Sequence, residues 1–124
     1  MEIKVYRCKH CGNIAIKVID SGVKMVCCGE PMEELVPASV DAAVEKHVPV
    51  VTREGDKVSV AVGSVAHPMT AEHYIPFVIL DTTAGAQIAK LNPGDDPVAV
   101  FAVLPGAEVK KAYAYCNLHG LWTD

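Results

Sequence analysis

An all-β chain in two parts, a small metal-stapled N-terminal segment followed by a β-sandwich, is the fold class predicted here, and three observations predict it. From residue 48 onward, β-branched runs recur between turn residues at intervals of about ten, the rhythm of a sandwich. Within one run Val58, Val60 and Val62 alternate with Ser59 and Ala61, so one face can enter a core. Four of the five cysteines crowd into the N-terminal part, at Cys8, Cys11, Cys27 and Cys28.

Residues 3–7, 14–19 and 23–26 read as short strands, joined by a Cys-Gly-Asn turn and an Asp-Ser-Gly turn. Residues 30–39 read as a connector with a boundary near Pro37, giving domains of 1–37 and 38–124. So short a segment cannot bury enough apolar surface to fold alone, since below about 40 residues a metal, disulfide or partner chain is usually needed. Four thiolates would supply the staple. Residues 41–46 fit a helical turn or an extended loop equally well. Residues 48–53 and 57–62 flank the turn Glu54-Gly55-Asp56. Residues 74–82, 86–91, 97–104 and 108–115 read as later strands, with breaks at Asn92-Pro93-Gly94-Asp95 and Pro105-Gly106.

Composition narrows the function classes. The 124 residues are 51% hydrophobic and 21% charged with a formal net charge of −4, which argues against disorder and against nucleic-acid binding through bulk positive charge. The longest apolar runs, near residues 75–80 and 98–104, fall far short of the roughly 20 residues that cross a bilayer, so no membrane span is expected. The opening residues lack the apolar stretch of a secretory signal, which makes a cytoplasmic location the default expectation. In a reducing compartment, closely spaced cysteines ligate metal more often than they pair as disulfides.

Cys8-x2-Cys11, followed after fifteen residues by the adjacent pair Cys27-Cys28, has the composition of a tetrahedral four-sulfur site for zinc or a single iron. Adjacent cysteines diverge along an extended chain, so that edge of the cage must be bent. Zinc would make it a closed staple, whereas iron would let it carry one electron. His10, between Cys8 and Cys11, is read as an exposed turn residue outside the cage.

A second set of donors lies in the larger part. Cys116 and His119 are spaced so that both can reach one metal from a single turn. His47 stands just before Pro49, His67 before Pro68 and His73 before the apolar run from Tyr74, where turns can aim them at a common point. One mononuclear site with four nitrogens and one sulfur is the economical reading. Five donors exceed what structural zinc uses, whereas iron accepts five and leaves a sixth position open. Four neutral imidazoles and one thiolate around Fe(II) leave a net charge of +1, which favours a small anionic oxygen species at that position.

Cys-Lys-His-Cys-Gly-Asn, Cys-Cys-Gly-Glu-Pro-Met, Asp-Ala-Ala-Val-Glu-Lys-His-Val-Pro-Val, Gly-Ser-Val-Ala-His-Pro-Met, Glu-His-Tyr-Ile and Tyr-Cys-Asn-Leu-His-Gly-Leu-Trp together resemble the desulfoferrodoxins, the two-iron class of superoxide reductase. The resemblance runs from Tyr6 to Trp122. It implies a desulforedoxin-like N-terminal domain, an immunoglobulin-like β-sandwich, a homodimer, and two iron ions per chain. It also implies reduction of superoxide to hydrogen peroxide without oxygen evolution, with re-reduction by an external donor such as rubredoxin. By the same resemblance, Cys8, Cys11, Cys27 and Cys28 hold the first iron, and His47, His67, His73 and His119 ring the second with Cys116 axial. Glu45 matches the carboxylate that fills the sixth position in the ferric state, and Lys46 the catalytic lysine.

Overall fold

The computed structural model describes residues 2–39 and 47–124, and the chain divides into two compact units, Met1–Val36 and Pro37–Asp124. In the first unit, strands β1 (Val5–Arg7), β2 (Ile14–Ile16), β3 (Val26–Cys27), β4 (Glu30–Pro31) and β5 (Glu33–Leu35) form two antiparallel sheets, β2-β1-β5 and the hairpin β3-β4. Among its described residues the buried apolar side chains are few: Ile3, Val5, Tyr6, Cys8 and Leu35.

Three expectations for this unit need correction. Of residues 23–26, only Val26 lies in a strand. Residues 17–19 do not extend β2. The chain turns there because Lys17 Nζ grips both Asp20 Oδ1 at 3.0 Å and the Val23 carbonyl at 2.9 Å, leaving Val18 and Ile19 exposed despite their β-branched side chains. The stretch read as a connector contains β4 and β5. Its Pro-Met-Glu-Glu composition hides a strand that is made by pairing with β1, in the register Val5 to Leu35 and Arg7 to Glu33.

The second unit holds β6 (Pro49–Glu54), β7 (Lys57–Val62), β8 (Phe77–Thr82), β9 (Gly85–Lys90), β10 (Val98–Ala102), β11 (Val109–Cys116) and β12 (Gly120–Thr123). Two antiparallel sheets, β10-β7-β6 and β12-β11-β8-β9, face each other as a sandwich. The alternation in β7 does what its pattern predicts: Val58, Val60 and Val62 point inward, against Val78 and Leu80 of β8, Ala99 and Phe101 of β10, and Ala112 and Ala114 of β11. The next inward position on β11 is Cys116, so the strand's own pleat carries this thiol to the end of the core. Gln87 Nε2 donates to the Ala102 carbonyl at 2.7 Å and ties the open side of the two sheets together.

Strand β12 is the one element of this unit absent from the sequence reading. It pairs with β11 in the register Ala114 to Trp122, and Ala38 runs parallel to its other side, bonded to Leu121 and Thr123 at 2.9 Å each. The chain therefore leaves β12's flank at Ala38 and re-enters the described structure at His47. The helical-or-extended stretch 41–46 lies outside the described residues.

Candidate metal centres

The first centre is assembled from two tight turns. At the knuckle, the Cys8 amide donates to the Asn13 carbonyl at 2.9 Å and the Gly12 amide to the Cys8 carbonyl at 3.0 Å, a reversal that places Gly12 at φ +82°. The adjacent cysteines are separated by the bend their pairing demanded. Cys27 ends β3, and Cys28 and Gly29 form the two-residue turn into β4 with φ of +51° and +78°. Two positive φ values in a two-residue hairpin are the signature of a type I′ turn, a conformation that glycine takes freely and cysteine takes at a cost.

These turns gather the four sulfurs to within 4.8 Å of one another, with Cys11 Sγ 3.6 Å from Cys27 Sγ. Sulfurs bound at about 2.3 Å around a tetrahedral ion stand about 3.8 Å apart, so the cage has the right size. Four thiols crowded this closely differ in acidity. The Cys8 thiol falls to about 6, chiefly because the Cys11 backbone amide bonds it, whereas Cys28 is pushed up to about 12 by its contact with Cys8. Crowded sulfurs cannot all ionise unless a cation joins them. The Asn13 side-chain amide donates to Cys27 Sγ at 3.6 Å. His10 points away, bonded to Glu30 at 3.0 Å, as expected of a turn residue. Glu33 lies near Arg7 and Lys9, so these carboxylates have partners within their own unit.

The second centre lies at one end of the sandwich. His47 stands two residues before β6, His67 and His73 lie in the loop between β7 and β8, Cys116 ends β11, and His119 lies in the turn between β11 and β12. The four imidazoles form a closed ring. Successive centroids, His47 to His67 to His73 to His119 and back to His47, stand 5.0, 4.7, 5.1 and 5.0 Å apart, with planes inclined at 63° to 86°. His47, His67, His73 and Cys116 each present a donor atom within 4.8 Å of the others. His119 joins them through Nδ1, which lies 3.1 Å from His47 Nε2 and 3.7 Å from Cys116 Sγ. Neighbouring nitrogens at about 2.1 Å from one metal would stand about 3.0 Å apart, so the His47–His119 spacing fits.

The protonation states suit metal binding. His67 Nδ1 is engaged by the Pro68 carbonyl at 2.8 Å, which fixes the proton there and leaves the buried Nε2 as a lone pair with no protein partner. Burial drives its pKa down to about 4, so the ring is neutral near pH 7. Burial pushes the Cys116 thiol up; a cation beside it is what would favour the thiolate. His47, His67 and Cys116 are buried, whereas His73 is half-buried and His119 exposed, so the ring is walled on the core side and open on the other. Met69 accepts the Ile75 amide's hydrogen on its sulfur at 3.4 Å and packs on the core, a structural use rather than a sixth donor to the centre.

Of the residues singled out from sequence, all four N-terminal cysteines converge, as do the four histidines and Cys116. Glu45 and Lys46 lie outside the described residues. Three supporting residues went unread. Trp122 stacks on His47 at 4.6 Å and 18°. Thr70 caps the turn that ends at His73. Asn117 bonds the backbone on both sides of His73. Only Asn117 carried a legible signal, a turn residue standing between two metal donors.

Both parts of the chain match family models: residues 39–124 match "Desulfoferrodoxin" and residues 1–35 match "Desulfoferrodoxin, N-terminal domain". A desulfoferrodoxin homolog of Archaeoglobus fulgidus is 46% identical over 97% of this chain and 94% of its own length. The superoxide reductase structure from Treponema pallidum superposes with a TM-score of 0.88 at 37% identity, covering 99% of this chain and 98% of that one. A structure described as a 1Fe superoxide reductase from Giardia intestinalis, also 37% identical, covers 64% of this chain and 95% of its own, with a TM-score of 0.54.

Proposed function

This chain belongs to the desulfoferrodoxin family, and from that premise we propose that it is a superoxide reductase: superoxide, one electron and two protons become hydrogen peroxide at the histidine–cysteine centre. The observation that carries the reading is the ring of four imidazoles with a buried cysteine sulfur among their donor atoms and an exposed edge at His119. The family carries two iron centres, and both donor sets fit them in size and chemistry. Iron held by His47, His67, His73, His119 and Cys116 would supply the electron.

The chain's own residues explain why an anion would come there. Its net charge of −4 repels superoxide at long range, but screening over about 8 Å at physiological salt mutes distant carboxylates more than an adjacent ammonium. Lys46, next in sequence to His47, is assigned the role of drawing the anion in and orienting water for protonation. Glu45 is assigned the role of capping the open position after the electron has left, which disfavours oxidation of a second superoxide. Cys8, Cys11, Cys27 and Cys28 are assigned to the other iron, with residues 1–37 as its domain and 38–124 as the reductase. Electron supply is assigned to a rubredoxin-like donor in the cytoplasm. A homodimer is supported by the exposed apolar side chains of Val18, Ile19, Val23 and Val26 on the N-terminal unit.

Mixing the fully reduced protein with superoxide is expected to yield peroxide in proportion to iron oxidised, with no oxygen released. Oxygen appearing in step with peroxide, with no donor consumed, would refute reduction and indicate dismutation. In the same assay Lys46→Ala is expected to slow the bimolecular step by about 10-fold or more and flatten its salt dependence. Equal rates and salt slopes for the two proteins would remove Lys46 from the mechanism.

A further inference from the structure

His73 lies in the long loop between β7 and β8, outside regular structure, yet its backbone is held from two directions. Asn117 Oδ1 accepts from the Tyr74 amide at 2.9 Å, and Asn117 Nδ2 donates to the Glu72 carbonyl at 3.0 Å. Those two groups belong to the two peptide planes that flank His73, so one planar side chain grips both. The Asn117 main-chain amide adds a third bond, to the Tyr74 carbonyl at 3.2 Å. From the other side, Thr70 Oγ1 accepts from the His73 amide at 3.2 Å and donates to the His73 carbonyl at 3.3 Å.

We propose that Asn117 is a positioning residue that locks His73 to the Cys116–His119 turn, so that three donors of the second centre are set as one rigid piece before metal arrives. Asn117 directly follows Cys116 and stands two residues before His119, and its side chain is the cross-link from that turn to the histidine loop. The role requires a donor and an acceptor in one head at that reach. Aspartate keeps the bond to the Tyr74 amide and loses the bond to Glu72, leucine fills similar space and makes neither, and glutamine carries both groups one methylene too far. The inference rests on the reading of His73, Cys116 and His119 as ligands of one iron.

The test compares the full-length protein with Asn117→Leu and Asn117→Asp, measuring ferrous iron affinity at the second centre by chelator competition, with the four-sulfur centre in the same molecule as reference. Amide exchange of the metal-free proteins is the second readout. The leucine variant is expected to bind iron at the second centre at least about tenfold more weakly. Its Tyr74 amide should exchange faster while the β7 amides stay protected, and the aspartate variant should fall between. Should the leucine variant fail to fold, the aspartate variant alone decides, through loss of affinity with the β7 amides intact. Unchanged affinity together with unchanged Tyr74 protection would overturn the proposal. Iron filling the four-sulfur cage of the unmutated protein but not the second centre would instead sink the ligand reading on which it rests.

Discussion

In Cys116→Ser, superoxide consumption by the reduced protein is expected to fall by more than about 100-fold, and the sulfur-to-iron charge-transfer absorption of the second centre to vanish while that of the four-sulfur centre remains. The thiol is already held above its ordinary range by burial, and a cation is what draws off its proton. A serine hydroxyl is a far weaker acid, so the same cation leaves it protonated and a poor electron donor. Because Cys116 is fully buried at the end of the core, the hydroxyl also costs about 1–3 kcal/mol if no partner is found. Pulse radiolysis of the iron-loaded variant gives the rate, and thermal unfolding of the metal-free pair separates the stability cost from the loss of the ligand. A variant as fast as the parent would show that the sulfur is not part of the site.

Cys11→Ser is expected to have an effect of a different kind, large but confined to the first unit. Cys11 is exposed, so the substitution removes no packing. What it removes is one corner of a cage that stands in for a hydrophobic core. Among the described residues of Met1–Val36, the buried apolar side chains besides Cys8 are Ile3, Val5, Tyr6 and Leu35, and structural metal in small cysteine sites contributes about 10–16 kcal/mol to folding. Protease should therefore cut within residues 2–36 while β6 to β12 remain intact, and metal analysis should show about one equivalent lost. The sandwich should continue to consume superoxide on a single turnover, since each of its candidate ligands lies in the second unit. Resistance of the N-terminal unit to protease, with the cage empty, would contradict the staple.

How much of this was legible in the sequence follows from the range of each interaction. Cysteines and histidines announce their chemistry by type, and the alternation of Val58, Val60 and Val62 announces a face, because both are local properties. The bend at Cys27-Cys28 could be required in advance, but its form, a type I′ turn with cysteine at positive φ, depends on β3 pairing with β4. Strand β5 was hidden because Glu33-Glu34-Leu35 is extended through its bonds to β1, nearly thirty residues away in sequence. Strand β12 was hidden because four residues after a turn carry too little periodicity, although Trp122 backs His47 from there. Thr70 acts through hydrogen bonds to main chain, which no spacing rule reveals, and the place of Asn117 between two metal donors marks a turn but not the bonds its side chain makes.

Trp122 is the chain's single tryptophan, and its indole lies face to face with the His47 ring. An open-shell ion attached to that imidazole would sit near enough to quench the excited indole. Tryptophan emission, excited beyond the tyrosine band, would then answer to the centre that His47 serves. Filling or stripping of the reaction site could thus be followed continuously, in dilute solution and without added dye, by light the protein itself gives off.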